Sequence, residues 1–365
     1  MEKMKIAIIS DTPYQLMNSI NFMANHRNFQ YDLFIGQQFH NCEHITTHVR
    51  ETGLAEHIYS YECVKYKNIL SRYAMKLKET LKLEQYLKKC TFRTFEPSEN
   101  EYDYIAMSLY TNFTEAFKIY YSSIPVVFYD DGFGTYSGNT VPVNYGVRKA
   151  VTKLLGKEFP DLTPCAIYLN NPEAYSIPYV SNVKKLPELN PENVALPYLL
   201  KVFSAAAPGK YRNKAIFLTQ PNDCKFSMYG EITERIIILL KENIPVIVRV
   251  HPRENIEDYQ KFGVELDNDS LWELSCMTEI TSKHVLIGIY SSSQIMPKML
   301  FNKEPYLIFL YKIFEKMYPV EQFKMIAGMV GDVNAKYSDN HKIFIPENLA
   351  ELSLVIKKLH NERLL

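Results

Sequence analysis

The sequence predicts an α/β protein made of two doubly wound domains with a cleft between them. Short β-rich runs alternate with helical patterns in the first half of the chain, a second alternating series begins after residue 210, and a proline-rich stretch separates the two. The length of 365 residues fits two domains at ~150 residues per domain. Ligands are then expected at the carboxyl ends of the strands that face the cleft.

The first series predicts five strands and the helices between them. The helix after the first strand begins near Pro13, because proline suits a first helical turn. Further helices are predicted near 42–53, 67–89 and 112–121. The predicted strands are Lys5–Ser10, Tyr31–Ile35, His57–Tyr61, Tyr104–Ser108 and Pro125–Tyr129.

The second series predicts strands at 214–219, 245–250, 284–290 and 305–311, with helices at 226–242 and 291–301. Prolines recur between the two series, and proline breaks regular elements. We therefore place a linker at 181–212, between an amino-terminal domain at 1–180 and a carboxyl-terminal domain at 213–365. The prolines in question are Pro172, Pro178, Pro187, Pro191, Pro197 and Pro208.

The composition is that of a globular protein with a sizeable core, since 47% of residues are hydrophobic and 22% are charged. Lys plus Arg and Asp plus Glu both number 41, so the zero net charge argues against bulk electrostatic binding to nucleic acid. No apolar run approaches the ~18 residues of a membrane span. The six cysteines form no CxxC pair, which predicts reduced thiols in the cytoplasm and no zinc site.

The segment 65–89 is strongly basic, with Lys or Arg at eight positions against Glu79 and Glu84. Its apolar residues recur at roughly helical spacing. A basic amphipathic helix can dock on an anionic membrane. An ordinary surface helix has the same pattern, so both interpretations stay open.

The stretch "VVFYDDGFGTYSGN" (126–139) places Asp130 and Asp131 at the end of an apolar run, directly before Gly132. Asp and Gly are common turn residues, so a strand end with a tight turn explains the pattern. The same pattern fits a catalytic loop at the carboxyl end of a buried parallel strand, where open α/β sheets place their ligands.

Three more loops follow predicted strands: "SDTPYQ" (10–15), "VRVHPRE" (248–254) and "GIYSSSQ" (288–294). His251 can donate a hydrogen bond or a proton near neutral pH, and Pro252 fixes the turn after it. The serines precede a helix, whose amino-terminal end attracts anions. A surface histidine and a simple helix cap are the ordinary explanations.

Taken together, these loops suit a sugar-nucleotide substrate. A carboxylate of the first domain would deprotonate an acceptor hydroxyl. His251 and Ser291–Ser293 of the second domain would neutralise the leaving phosphate, so no metal is demanded.

The set "YDDG", "VHPRE" and "YSSSQ", in this order, resembles the bacterial sialyltransferases that use CMP-sialic acid, and most of all the lipooligosaccharide and capsule sialyltransferases. "TPYQ" near the amino terminus and "LTQP" (218–221) are also similar to that family, and the resemblance spans about residues 5 to 300. It implies a GT-B fold of two Rossmann-like domains, and inverting, metal-independent transfer.

The resemblance also implies roles for individual residues. Asp131 would be the general base, and His251 the general acid or phosphate partner. Ser291 and Ser292 match a serine pair that holds the CMP phosphate, with Ser293 as an extra serine. Glu273 is preferred to Glu279 as the cytidine-binding glutamate. The other expected donor contacts are Pro252, Thr219 and Gln220. The expected acceptor contacts are Asp130, Gly132, Thr12 and Gln15, with Asp130 in a supporting role. Gly132 and Gly134 are expected to provide flexible backbone that lets the acceptor approach.

The implied donor is CMP-sialic acid, with no further cofactor, and the implied acceptor is a galactose-terminated capsule or lipooligosaccharide glycan. The sequence does not determine the acceptor or the linkage. It is compatible with a homodimer and with a peripheral contact at the inner face of the membrane. The alternatives are a GT-B hexosyltransferase using a UDP-sugar, and a non-catalytic nucleotide-sugar-binding protein. A metal-dependent DxD-like site fits less well, because Asp130 and Asp131 are adjacent.

Overall fold

The computed structural model describes residues 3–39, 41–62, 69–136, 146–156, 158–175, 177, 179–204, 206–221, 228–267, 270–362 and 364. The chain divides into two compact units, Met1–Phe203 and Ser204–Leu365. Each unit contains one parallel β-sheet with helices between successive strands.

The first unit contains a seven-stranded sheet in the order β3-β2-β1-β4-β5-β6-β7, in which all neighbours are parallel. Strands β1 and β4 are neighbours although two strands separate them in sequence, so the chain direction across the sheet reverses between them. The strands are β1 (Lys5–Ser10), β2 (Gln30–Gly36), β3 (His57–Tyr61), β4 (Tyr104–Met107), β5 (Val126–Tyr129), β6 (Ala166–Leu169) and β7 (Val183–Lys185). The helices are α1 (Pro13–Asn25), α2 (Cys42–Arg50), α3 (Ile69–Leu81), α4 (Leu83–Cys90), α5 (Asn112–Tyr120), α6 (Phe133–Tyr136), α7 (Gly146–Leu154) and α8 (Leu196–Val202).

The second unit contains a six-stranded parallel sheet in the order β10-β9-β8-β11-β12-β13, with its reversal between β8 and β11. The strands are β8 (Ala215–Leu218), β9 (Val246–Arg249), β10 (Glu265–Asp267), β11 (Val285–Gly288), β12 (Tyr306–Phe309) and β13 (Ile343–Phe344). The helices are α9 (Tyr229–Asn243), α10 (Glu257–Gln260), α11 (Trp272–Thr278), α12 (Ser292–Phe301), α13 (Val320–Lys336) and α14 (Leu349–Asn361).

The central strands form because their residues are apolar on both faces. β1 is buried from Ile6 to Ser10, and all four residues of β8 and of β11 are buried. Aromatic rings fill much of the core beside the first sheet; Tyr61 stacks on Phe113 with 4.0 Å between ring centroids, and Phe34 packs edge-on against Phe95. Many of the tyrosines that are frequent in this sequence are therefore core residues.

Every strand predicted from the sequence is present, and β1 and β3 have the predicted bounds. Four strands were missed: β6, β7, β10 and β13. The last three are short, and β7 is the exposed edge of its sheet, so they carry little apolar pattern. The helix predicted at 67–89 is two helices, because Lys82 has a non-helical backbone between α3 and α4.

Two elements of the first unit lie inside the predicted linker 181–212. β7 pairs with β6, and α8 packs on α1 and α2. The division between the units falls between Phe203 and Ser204. The prolines of this stretch thus mark short elements packed on the first unit.

Within the described residues, no helix has both the length and the apolar character needed to cross a membrane.

Candidate active site

The residues predicted for the acceptor side lie at the carboxyl ends of β1 and β5, on either side of β4 in the first sheet. Parallel sheets bind ligands at this edge, close to the position where the strand order reverses. Hydrogen bonds join the two loops: the Gln15 amide of the first donates to the Asp131 carboxylate of the second, at 2.6 Å.

Asp130 is fully buried. Its carboxylate accepts hydrogen bonds from the Gly132 backbone N–H at 2.7 Å, the Tyr136 hydroxyl at 2.5 Å and the Asn170 backbone N–H at 3.0 Å. Burial raises the pKa of Asp130, and these donors oppose the rise. These hydrogen bonds commit the side chain to shaping the loop.

Asp131 is only partly buried, and one carboxylate oxygen accepts from Gln15. Its backbone N–H donates to the Thr135 hydroxyl at 2.8 Å, which fixes the start of α6. Burial raises the pKa of Asp131 to about 6, with smaller contributions from the charges of Asp130 and Asp11, while the Gln15 hydrogen bond opposes the rise. An aspartate with this pKa is a stronger base than usual and is still ionised at neutral pH.

Gln15 and Thr12 have structural partners of their own. Gln15 is 1% exposed, and its amide oxygen accepts from the Asp11 backbone N–H at 2.7 Å while its NH₂ group donates to Asp131. Thr12 caps α1 by accepting from the Gln15 backbone N–H at 3.2 Å. The "TPYQ" sequence is therefore a helix start that holds the Asp131 carboxylate.

Gly132 is required by its backbone conformation. Its φ is 83°, in the left-handed region that other residues rarely adopt, and the Tyr14 ring lies 3.7 Å from where a Cβ would be. The Asp130 carboxylate accepts a hydrogen bond from the Gly132 N–H, so this part of the loop is held in place. The sequence analysis had expected flexible backbone at Gly132. Gly134 lies within the short helix α6.

Asp11, which the sequence analysis did not single out, is a third carboxylate at this edge. It follows β1 directly, its pKa is raised by burial, and the Tyr61 hydroxyl donates to it at 2.5 Å. Its position directly after a central parallel strand was the signal that could have found it. Asn170, which bonds Asp130 and the Tyr14 hydroxyl, carried no such signal, because the apolar run of β6 was not recognised.

The residues predicted for the donor side lie at the carboxyl ends of β8, β9 and β11 in the second sheet, again beside the reversal of strand order. The His251 backbone N–H donates to the Thr219 hydroxyl at 2.9 Å, which joins the loops after β8 and β9. The Nδ1 atom of His251 accepts from the Arg253 backbone N–H at 3.1 Å. Because Nδ1 is an acceptor here, the proton of the neutral ring resides on Nε2, which can donate to a phosphate.

Thr219 is buried and has two partners, since its hydroxyl also donates to Glu254 at 2.5 Å. The Tyr259 hydroxyl donates to the other oxygen of Glu254 at 2.8 Å. Thr219 and Glu254 therefore organise the "VHPRE" loop, and Pro252 is exposed within it.

Gln220 links the loops after β8 and β11, because its amide oxygen accepts from the Tyr290 backbone N–H at 3.0 Å. Gly288 must be glycine, since a Cβ there would lie 2.7 Å from the Gln294 amide oxygen. Gln294 in turn donates to the Ile308 carbonyl at 3.0 Å. These contacts fix the amino-terminal end of α12 against the sheet.

The three serines differ in their positions. Ser291 is buried and is the N-cap of α12, in a capping box with Gln294. Ser292 is exposed at the first helical position. The Ser293 backbone carbonyl accepts from the Trp272 indole N–H at 2.8 Å. Of the three, Ser292 is placed to meet a ligand at the positive end of the helix.

The Trp272 bond has a cause in the sequence. Pro297 lies four residues after Ser293 inside α12, and proline has no N–H for the usual helical bond to the Ser293 carbonyl. Trp272, at the start of α11, supplies the missing donor, and the Arg249 guanidinium lies 5.1 Å from the Trp272 ring centre. The only tryptophan of the chain therefore contacts the serine-rich loop.

Glu273 follows Trp272 on α11 and is buried. Burial raises its pKa, and its own backbone N–H and the nearby charge of Arg249 oppose the rise. Glu279 instead accepts from the Gly209 backbone N–H at 2.7 Å, which ties it to a turn of the second unit. The two glutamates thus differ in their surroundings, and the cytidine contact of Glu273 stays a prediction.

Within the described part of the chain, one group has the spacing of a metal site: Asp32, Glu56 and His57. Asp32 already pairs with Lys5 at 3.0 Å and with His57 at 2.9 Å. It belongs to β2, and neither Asp130 nor Asp131 is part of this group.

No protein-family model matches the sequence, and no curated protein matches it either. Solved structures are similar over nearly the whole chain. The glycotransferase of kitacinnamycin has 10% identity and a TM-score of 0.54, covering 100% of this chain and 94% of that chain. The spinosyn forosaminyltransferase SpnP has 10% identity and a TM-score of 0.52, covering 99% and 95%. A UDP-glucosyltransferase from Polygonum tinctorium has 10% identity and a TM-score of 0.51, covering 99% and 92%.

The fold is GT-B. This confirms the predicted fold class, with two Rossmann-like parallel-sheet units in one chain. At 10% identity the likeness concerns the fold alone. Within each unit of the GT-B chain, the predicted loops come together at one sheet edge: those after β1 and β5 in the first, and those after β8, β9 and β11 in the second.

Proposed function

We propose that this protein is an inverting, metal-independent GT-B glycosyltransferase that moves sialic acid from CMP-sialic acid to a galactose-type hydroxyl of a surface glycan. The observation that carries the proposal is the contrast within the "DDG" loop. Asp130 is buried and fully engaged, whereas Asp131 keeps a partly exposed carboxylate whose pKa is raised to about 6. A single-displacement transfer needs one such base.

Asp131 is suited to remove the proton of the acceptor hydroxyl. A positioned base contributes most when its pKa lies near the working pH, because it is then both deprotonated and strongly basic. Gln15 holds one oxygen of the carboxylate, which orients the group. In the proposed step, the hydroxyl proton passes to Asp131 while the acceptor oxygen bonds to the anomeric carbon of sialic acid.

The second unit is suited to bind the departing phosphate. As the bond between the anomeric carbon and the phosphate oxygen breaks, the electron pair stays with CMP, which leaves with an added negative charge. In the proposed step the His251 Nε2–H donates to this phosphate, and the amino-terminal end of α12 with Ser292 supplies a positive dipole and a hydroxyl. These donors act in place of a metal ion in the proposed mechanism, and Glu273 is the proposed cytidine contact.

A direct test is to incubate the protein separately with CMP-sialic acid, UDP-glucose and UDP-galactose, each with a lactose-type acceptor and with EDTA present. We expect release of CMP with a sialylated product, and none of UDP. Trp272 gives a second readout, since the single indole beside Ser293 should change its fluorescence on CMP binding. Release from a UDP-sugar alone would overturn the assigned donor, and nucleotide binding without turnover would favour a non-catalytic binding protein.

A hexosyltransferase using a UDP-sugar is the second candidate, because one structure of the same fold is a UDP-glucosyltransferase. The same assay separates the two candidates. The proposal includes a cytoplasmic location, which the free thiols of Cys42, Cys90, Cys165 and Cys276 support. A homodimer stays a prediction.

A further inference from the structure

Helices α3 and α7 pack side by side in the first unit, and charged side chains fill the space beneath them. Arg148 of α7 is fully buried and donates to Glu79 of α3 at 3.0 Å. Lys76 of α3 is also buried, where it pairs with Glu115 of α5 at 2.9 Å. Breaking such buried pairs is costly, so these contacts fix which face of each helix points outward.

The outward face of this pair is apolar. Tyr73, Leu77 and Leu81 lie four residues apart on α3, so they form one stripe, and their exposed fractions are 49%, 44% and 53%. At the end of α7, Leu154 is 85% exposed and Leu155 is 46% exposed. Large apolar side chains gathered on two adjacent helices mark an interaction surface more than single exposed ones do.

The exposed charges around these residues have one sign. Lys78 is exposed on α3 and Lys82 is exposed directly after it, and Lys149 and Lys153 are exposed on α7. Within 73–82 and 146–156 the one acidic residue is Glu79, which is buried against Arg148. The whole chain is electrically neutral, so this excess of positive charge is a local property of the α3–α7 surface, defined by these four lysines with Tyr73, Leu77, Leu81, Leu154 and Leu155.

We propose that the α3–α7 surface docks the protein on a membrane of anionic phospholipids. Leucine and tyrosine side chains can enter the boundary between headgroups and acyl chains, and the flanking lysines then lie at the level of the lipid phosphates. A soluble polyanion would satisfy the lysines but would leave the leucines exposed to water. A protein partner would need acidic residues around an apolar groove, whereas a bilayer supplies both features by its composition.

The structure also changes which residues of the basic segment 65–89 can take part. Lys76 faces the interior, and Lys88 is paired with Glu84 and Glu96. Lys65 and Lys67 lie outside the described residues. Helix α7, which is distant in sequence, supplies half of the exposed lysines and the two most carboxyl-terminal leucines of the surface.

Vesicle flotation with the full chain tests the proposal. We expect the protein to float with vesicles that contain about 30% anionic phospholipid, to bind pure phosphatidylcholine much less, and to be released as salt rises. Lys149→Gln with Lys153→Gln should lower the apparent partition coefficient by more than about tenfold. Leu154→Ser with Leu155→Ser should lower it by a similar factor while leaving the salt dependence of the residual binding unchanged.

A matched control replaces Leu354 and Lys357, which are exposed on α14 of the second unit, by Ser and Gln. This variant should bind vesicles like the unaltered protein. If the α7 variants lose their circular-dichroism spectrum, Leu77→Ser with Lys78→Gln tests the same surface from α3. Equal binding to neutral and anionic vesicles, or unchanged binding of the folded surface variants, would overturn the proposal.

If the same variants changed from dimer to monomer and bound vesicles normally, the α3–α7 surface would be a protein interface. That result would also overturn the membrane proposal. Vesicle binding needs no substrate, and transfer to a soluble acceptor needs no membrane. Failure of the membrane proposal is therefore distinguishable from failure of the proposed function.

Discussion

The loop after β5 in the first unit and the loop after β11 in the second both lie at the carboxyl-terminal edges of their sheets, yet they are built for opposite charges. In the first, a carboxylate with a raised pKa lies beside the buried Asp130 and the partly buried Asp11, whose pKa values are also raised, so the environment favours an uncharged or cationic partner. In the second, the loop leads into a helix whose amino-terminal end is fixed by Ser291 and Gln294, and this end attracts anions. In the proposed mechanism, one Rossmann-like topology supports proton abstraction in one unit and phosphate binding in the other, and side chains in the loops make the difference.

The two units also differ in how their site residues are held. The first holds Asp131 through side chains, chiefly Gln15. The second holds His251 and α12 through bonds between side chains and the backbone: the Thr219 hydroxyl accepts from the His251 N–H, and Trp272 and Gln294 donate to the carbonyls of Ser293 and Ile308. Replacement of Gln15 therefore acts directly on a site carboxylate, whereas replacement of Trp272 or Gln294 acts on the backbone at the start of α12.

Asp131→Asn should have the largest effect on the first site. Loss of a general base lowers turnover by about 10²- to 10⁴-fold, and the amide retains the shape and volume of the carboxyl group. We expect kcat/KM for CMP-sialic acid transfer to fall in this range, while the urea midpoint does not fall. A variant with more than about a tenth of the unaltered rate would contradict the assigned role.

Asp131→Asn should also change the free energy of unfolding in a direction that depends on pH. The folded-state pKa of Asp131 lies above the ordinary 3.8, so its contribution to stability is fully present below pH 3.8 and is lost as pH rises through about 6. Asn does not titrate, so above about pH 7 the variant should gain on the unaltered protein by at most about 3 kcal/mol. Urea titrations at acidic and neutral pH measure this difference, and an opposite sign would show that the carboxylate is stabilised in its charged form.

His251→Ala should have the next largest effect and should test the second site. Loss of the Nε2–H donor to the leaving phosphate should lower turnover with CMP-sialic acid by about 10²-fold or more. His360→Ala, which replaces an exposed histidine on α14, is the control and should have normal rates. Near-normal turnover of His251→Ala would exclude it from the chemistry.

Asp130→Ala should affect stability first, in contrast to Asp131→Asn. It would leave the buried Gly132 N–H, the Tyr136 hydroxyl and the Asn170 N–H without their acceptor, at a cost of about 3 kcal/mol. The free energy of unfolding from urea titration measures it. Equal stability of the Asp130→Ala and unaltered proteins would remove the distinction drawn between the two aspartates.

Gln15→Leu should change the pH dependence more than the maximal rate. The Gln15 amide lowers the pKa of Asp131, so its removal should move the acidic limb of the kcat/KM profile to a pH above about 6. A merely structural role of Gln15 would lower the rate uniformly and leave the position of the limb unchanged.

The smallest expected effects distinguish the serines of the second site. Ser291→Ala should cost about 1 kcal/mol of stability, because it removes the helix cap. Ser292→Ala should leave stability within about 0.5 kcal/mol, because the side chain is exposed, and should raise KM for the donor. Thermal unfolding and initial rates measure both, and a reversed pattern would place the phosphate contact at Ser291.

The sequence by itself determined the features that depend on neighbouring residues. Apolar runs followed by polar loops gave the central strands and the loops after β1, β5, β8, β9 and β11, because a buried parallel strand must be apolar on both faces. The serines at 291–293 were readable as a helix start, because Ser is a preferred N-cap residue.

Only the tertiary structure decided what depends on residues far apart in the chain. Asp130 and Asp131 are adjacent, yet Asn170 and Tyr136 engage one while Gln15 engages the other. Likewise, Glu79 is an interior residue paired with Arg148 and Lys76 is an interior residue paired with Glu115, whereas four lysines of the α3–α7 surface are exposed. Packing between distant segments determines how deeply a carboxyl group is buried, and so its pKa, and it determines which face of a helix is exposed. A local pattern of residue types does not specify that packing, so the sequence alone did not predict these features.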